Sequence, residues 1–421
     1  MHAKRRVMQW GMVWVVLCLM AATASAQKEW KGGGSNTNYT TGNNWIGNVA
    51  PASSSGSGGE HALFGNAPVS GPQTVSFSGN VYVGQITINS SLSYTLTGGS
   101  LIAPTSASTW TVAGSGNQTI ASTIRLRDAL TINNTGTGVL NVSSTVSAWS
   151  GSGPFTLAGT GVTNFSGSIN GGVDFAITGG VNTITGNIGS GVINISGGTN
   201  LIGNSFSGGG KILNITGGDN TITGGLGGGA EITVNATGGN LVIDGDIGGG
   251  ADIHVSEGGL TLNGSVASGA AVLVDSGGTL LLTDGVTFGG GSTVELNGGT
   301  LAATGTVSIP NVTLTGDSVI DLGNDPNAQL DIGSISGSGT INVINYVDTN
   351  QISFNPGGSP SFNPEQQVTF NGTPATTGPG GNTIIPVEVP VVPEPGTAVG
   401  LGLLGLLVCA DYYRRRNRQA A

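Results

Sequence analysis

Cleavage of a glycosidic bond by hydrolysis needs two carboxyl groups set across a cleft, and the acidic stretch Asp244, Asp246 and Asp252 is where such a pair is to be sought. Asp244 and Asp246 stand two residues apart, a spacing that puts both on one face of a strand. Eliminative cleavage of an acidic polysaccharide also requires a base near the acid subsite, and the repeated region offers only Lys211 and His254. His254 alternates with Ile253 and Val255, so an outward, solvated placement accounts for it equally well. A second acidic group, Asp321, Asp325 and Asp331 in "DLGNDPNAQLD", brings together the oxygen ligands that calcium prefers, yet neither group completes a calcium-loop pattern. Solvation of an acidic surface explains both groups without catalysis or a metal. No Ser/His/Asp arrangement, phosphate-binding loop or redox motif stands out, and no cofactor is expected.

Any such site has to be carried by a chain of unusual composition. Of 421 residues 78 are Gly, 8% are charged and 5% are aromatic, whereas about a quarter of the residues of an ordinary globular domain are charged. The 37% hydrophobic content, mostly Val, Ile and Leu spread evenly, argues against disorder. Between Gln27 and Pro393 there are five basic residues (Lys28, Lys31, Arg125, Arg127, Lys211) against 20 acidic ones, a net near −15. A body so acidic repels phosphate backbones, which excludes nucleic acid as a partner. Both cysteines, Cys18 and Cys409, fall in the terminal segments, so the body has no disulfide, thiolate or cysteine-held metal.

The architecture follows from a repeat. Gly pairs return at Gly179, Gly197, Gly217, Gly238, Gly258, Gly277 and Gly298, at intervals of 18 to 21 residues, with short period-2 runs between them. No window keeps a helical period. A period near 20 with Gly corners specifies an all-β solenoid, a parallel β-helix, in which each coil buries its apolar side chains only against its neighbours. Roughly 12 coils at about 4.8 Å per coil make a rod of order 60 Å. Like charges stacked at that spacing repel by roughly 1 kcal/mol even in water, which disfavours charged columns. Asn182, Asn200, Asn220 and Asn240 follow successive Gly pairs as a stacked asparagine ladder would. Bulky aromatics are expected to fit poorly in so narrow a core.

Around this repeat the chain divides into 1–26, 27–74, 75–352, 353–391 and 392–421. The first segment has Lys4, Arg5 and Arg6, an apolar run, and Ala24-Ser25-Ala26, the features of a secretory signal peptide cleaved after Ala26. Residues 27–74 are expected to cap the open end of the solenoid, with Trp30, Trp45 and Phe64 covering it; a carbohydrate-stacking platform is the alternative role for those tryptophans. The 75–352 interval is the β-helix, and 353–391 reads as a Pro/Gly-rich extended stalk. The last segment carries an uncharged apolar run from Gly396 to Ala410, about the lower limit of a single transmembrane helix, followed by Arg414, Arg415, Arg416 and Arg418. Those arginines are expected to stay on the cytoplasmic side, which puts the acidic rod outside.

Val392-Pro393-Glu394-Pro395, the Gly/Leu-rich span and the arginine cluster, in that order, resemble the PEP-CTERM sorting signal of exported bacterial proteins. The resemblance implies recognition at Pro-Glu-Pro by an exosortase, a transpeptidase-like membrane enzyme, so that the tail is a temporary address and Glu394 a recognition residue. The block around Trp30, Asn44-Trp45, Pro51, Ala62 and Phe64 is similar to the opening of autotransporter-like β-strand repeat proteins. Together these readings specify an exported, non-catalytic structural or adhesive protein of the cell surface or extracellular matrix. Its partners would be the secretion machinery, the sorting enzyme, the membrane transiently, and an extracellular polysaccharide. A β-helical polysaccharide lyase or hydrolase, and a carbohydrate-binding adhesin using the N-terminal tryptophans, are the alternatives.

Overall fold

The computed structural model describes residues 27–386, apart from 54–59, 67–68, 150–152, 171, 190, 207–209, 228, 324, 348–350, 355–362 and 378–383. The expected signal segment with Ala24 and Ala26, the sorting motif Val392 to Pro395, the apolar span and Arg414, Arg415, Arg416 and Arg418 lie outside the described residues. Among the described residues no helix is long and apolar enough to cross a membrane.

Alternating short strands and Gly corners build a β-solenoid of about 13 coils. Parallel pairing between successive coils runs along three faces. Phe155↔Phe175↔Ile193 marks the first, Phe165↔Ile184↔Ile202 the second and Leu101↔Ile124↔Val146 the third. On every face the period-2 pattern sorts side chains inward and outward, as in Leu130–Asn134, where Leu130, Ile132 and Asn134 are buried and Thr131 and Asn133 face out. The third face thins to single bridges through the middle coils, Ile169↔Ile188 and Leu226↔Ile247↔Val266 among them. Those corners are too rich in glycine to sustain a longer strand. Parallel stacking runs past the 75–352 interval at both ends: Gln27–Glu29 pairs with His61–Phe64, and Ile341–Ile344 with Val368–Phe370.

The N-terminal end is closed by rings. Trp30 and Trp45 meet edge to face at 5.2 Å, Tyr39 meets Trp45 at 5.1 Å, and Phe64 links this group to Tyr94. All five are buried, and the Trp45 indole N–H donates to the Tyr39 carbonyl at 2.6 Å. Such a plug covers the apolar end that an open solenoid would expose to water. Burial pushes the Tyr94 hydroxyl up to about 12, with the Glu29 carboxylate adding to the shift.

Aromatics also enter the core, contrary to expectation. Trp110, Phe155, Phe165 and Phe175 are buried, and the three phenylalanines lie 5.9 to 6.3 Å apart between ring centres. Coil length explains their place. Leu96↔Ile120↔Val142↔Phe165 advances by 24, 22 and 23 residues, whereas Phe165↔Ile184↔Ile202 advances by 19 and 18. The phenylalanines stand at the step between the two lengths, since Phe155↔Phe175↔Ile193 advances by 20 and 18, and they pack against one another across it.

The asparagine ladder forms over three coils, not four. Asn182 donates to Asn200 Oδ1 at 2.8 Å and Asn200 to Asn220 Oδ1 at 2.7 Å. Each also donates to the carbonyl three residues earlier, at Gly179, Gly197 and Gly217. All three are buried. Asn240 is exposed and registers with Asp219, while Leu241 takes the position opposite Asn220. The reason is a one-residue offset: Asn182, Asn200 and Asn220 stand two residues after their Gly pair and Asn240 only one, which reverses the side chain in a strand.

Candidate functional site

Asp244, Asp246 and Asp252 do not converge on one site. Asp244 and Asp246 share no strand face; they flank the corner after the strand Ala230–Ile243 and precede the third-face bridge at Ile247. Asp244 Oδ1 accepts from the Asn263 side chain at 2.6 Å, and Asp246 Oδ1 accepts from the Ser265 backbone N–H at 2.9 Å. Asp252 stands elsewhere, at the start of the first-face strand Asp252–Leu262. Among the described residues no group of three or more His, Cys, Asp or Glu side chains is arranged to hold a metal ion.

Contacts of this kind recur at other corners. Asp174 accepts from Val192 N, Asp284 from Thr306 N, Asp317 from Thr340 N and Asp325 from Gly305 N, each partner lying 18 to 23 residues away, one coil off. A carboxylate at a corner satisfies a backbone donor that the strand ladder leaves open, and ties adjacent coils together. The effect is visible in the acids themselves. Hydrogen bonds from Thr340 hold Asp317 below the usual carboxylate range, and those from Asn327 and Gly305 do the same for Asp325. The second acidic group, weighed above for calcium, is dispersed in the same way: Asp321 binds Gly323 N and the Asn345 side chain, Asp325 caps its own turn at Asn327, and Asp331 accepts from Ser353.

The two candidate bases are likewise placed apart. Lys211 is buried at the start of the first-face strand Lys211–Ile215, where its neighbour Ile212 registers with Val192. The lysine Nζ donates to the Ile188 carbonyl at 2.7 Å, and burial lowers its pKa. His254 faces outward, as its alternation with Ile253 and Val255 indicated, and its Nε2 meets Asp275 Oδ2 at 2.5 Å. Asp275 also accepts from Asn297 at 2.8 Å, and the His254 hydrogen bond, then that from Asn297, depresses its pKa. Sequence reasoning did not single out Asp275; the 21-residue spacing between it and His254, one repeat length, was the available signal.

A shallow groove of about 430 Å³ on the second face is lined by Asp219, Asn240, Val242, Thr261 and Leu281. Its one carboxylate accepts from the Asn240 side chain at 3.1 Å, and no base lines it. No family model, no curated protein and no solved structure matches this chain. What the molecule does must therefore be argued from its own geometry. That geometry is a stack of coils tied by polar contacts between neighbours: asparagines inside, corner carboxylates outside, and a histidine bound to the aspartate of the next coil. The N-terminal tryptophans are closed off too, with Trp30 at 1% and Trp45 at 0% exposure, so neither ring offers a face on which a sugar could stack.

Proposed function

We propose that this is an exported, non-catalytic structural and adhesive rod, displayed at the bacterial surface or in an extracellular matrix. The observation that carries the reading is the coil-to-coil use of the carboxylates, with Asp174, Asp284, Asp317 and Asp325 each accepting from the backbone of another coil. An acidic outer surface and a body without cysteine suit an extended spacer. The signal-like segment ending at Ala26 supports export. The Val392-Pro393-Glu394-Pro395 motif, the apolar span and the terminal arginines support transient membrane anchoring, followed by sorting by an exosortase-like enzyme.

The test is mass spectrometry of the protein from its native cell envelope. A mature form beginning at Gln27 and lacking the residues after the Pro-Glu-Pro motif is expected, and replacing Pro393, Glu394 and Pro395 by Ala should hold the full-length form in the membrane. Unchanged processing of that variant would sink the sorting reading.

The His254–Asp275 pair is the observation that favours a second reading, a polysaccharide-acting β-helix enzyme, since an aspartate orienting a histidine is how a general base is commonly held. The pair stands on an outer face, and among the described residues no second acid is bonded to it. Saccharide cleavage by the purified chain that disappears in His254→Ala would favour the enzyme.

A further inference from the structure

The outer side of the third face carries a group of side chains unlike the rest of the rod. Tyr82, Ile102, Arg125 and Ser147 share one outward column over four successive coils, through the registers Tyr82↔Ile102, Ile102↔Arg125 and Ser147↔Arg125. Arg127 and Trp149 lie two residues further along the same face. The Arg125 guanidinium sits over the Trp149 ring at 4.7 Å from its centre, and that of Arg127 over the Tyr82 ring at 5.7 Å. Ile102 is fully buried although its register is outward, so the surrounding side chains close over it. Trp149, at 39%, is the exposed aromatic among the described residues.

Three features point to a ligand. These are two of the five basic residues between Gln27 and Pro393, set side by side on a body with 20 acids, a local reversal of the charge that prevails elsewhere. Asp128, the next acid along the chain, has an oxygen engaged by the Ala129 backbone N–H at 2.7 Å. Among the described residues no carboxylate pairs with Arg125, whose side-chain contact is with Trp149. The Arg125 guanidinium lies over the Trp149 ring, and its N–H donors are placed to meet a bidentate acceptor. An exposed indole edge beside it offers apolar surface next to that charge.

We propose that the Arg125, Arg127, Tyr82 and Trp149 patch binds an anionic polysaccharide. Arg125 takes the carboxylate or sulfate group of the sugar, Arg127 adds positive charge beside it, and Trp149 packs against the apolar side of the sugar ring. The four coils of the patch span about 14 Å along the rod, enough for an oligosaccharide laid along the face. A nucleic acid is disfavoured because affinity for its phosphates grows with the number of cations engaged, and two arginines on an acidic body supply little of it. This inference rests on the reading of the rod as a surface or matrix protein and names the chemistry of its partner.

Affinity electrophoresis of the full chain tests it, with polygalacturonate, dextran sulfate, neutral dextran, single-stranded DNA and phosphatidylserine vesicles as separate probes. Retardation by polygalacturonate or dextran sulfate but not by neutral dextran is expected, and which of the two is stronger tells carboxylate from sulfate recognition. Arg125→Gln and Trp149→Ala should each weaken it about tenfold, the loss of one charge-assisted bond or one stacked ring at about 1.4 kcal/mol per decade. Lys28→Gln, at the other face of the N-terminal coil, should leave it unchanged. Arg125 is only partly buried and bonds to no core group, so its variant keeps the fold even if that of Trp149 does not. Absence of retardation by either acidic polymer, equal loss in Lys28→Gln, no loss in Arg125→Gln, or preferential binding of DNA or vesicles would each overturn the proposal. Failure of export in cells would count against the surface reading and leave this binding result standing.

Discussion

Replacing Asn200 by alanine removes the middle rung of a buried ladder. In the native protein its side chain makes three hydrogen bonds: it accepts from Asn182 at 2.8 Å and donates to Asn220 Oδ1 at 2.7 Å and to Gly197 O at 3.1 Å. After truncation Asn182 Nδ2 still has the Gly179 carbonyl at 2.9 Å, but Asn220 Oδ1 and Gly197 O each lose the donor that Asn200 supplied. A buried acceptor stripped of its donor costs about 1–3 kcal/mol, so the two together should cost about 2–6 kcal/mol. Because stability in a solenoid is carried by neighbouring repeats, the measurement should be local as well as global: native-state hydrogen exchange at Gly203, Thr216 and Thr223, beside urea unfolding. Two comparisons isolate the cause. Asn214→Ala removes a bond of similar length to Asn194, 2.8 Å, but at an exposed site. Asn240→Ala removes one to Asp219 in water. Each should cost less than about 1 kcal/mol. A loss at Asn200 below about 1 kcal/mol, or an equal loss at Asn214, would show that burial of the ladder does not govern its contribution.

Other substitutions address other parts of the stack. Phe165→Ala should destabilise by about 3–5 kcal/mol, because the ring is fully buried between Phe155 and Phe175; urea unfolding measures it. Gly186→Ala should destabilise by at least about 2 kcal/mol, since a Cβ there would lie within 1.4 Å of the Gly167 carbonyl oxygen. Gly172→Ala, with open space around it and φ +83°, should register only the backbone strain, and thermal melts of the two variants compare them. Asp275, Asp317 and Asp325 have lowered native pKa values, so the stability they contribute is present above the unfolded carboxylate value of about 3.9 and is lost as pH falls through the lower native values. The melting temperature should therefore drop below about pH 4, and less steeply in a chain with all three replaced by Asn; identical pH profiles would refute the corner-pin role.

Period and composition alone determined that this chain is a β-solenoid. Short alternating runs returning every 18 to 21 residues leave no other way to bury Val, Ile and Leu, and stacked coils penalise charge in columns. The outward placement of His254 and the three-rung part of the asparagine column were legible in the same way, because both follow from counting in twos along a strand. Asn240 could have been separated from the ladder by the same count.

What only the tertiary structure decided is which residues from different coils meet. Asp244 and Asp246 look like a pair in the sequence, yet a corner turns between them and each binds the following coil. Trp110 and the three phenylalanines are buried in the core, the phenylalanines where the coils step from longer to shorter. Arg125 and Trp149 are 24 residues apart and lie in adjacent coils, so the contact between them depends on how many residues each corner consumes. Sequence gives the repeat as an average; the register of each coil against the next is fixed by corner geometry and side-chain volume, and the sites on a solenoid's surface are made from that register.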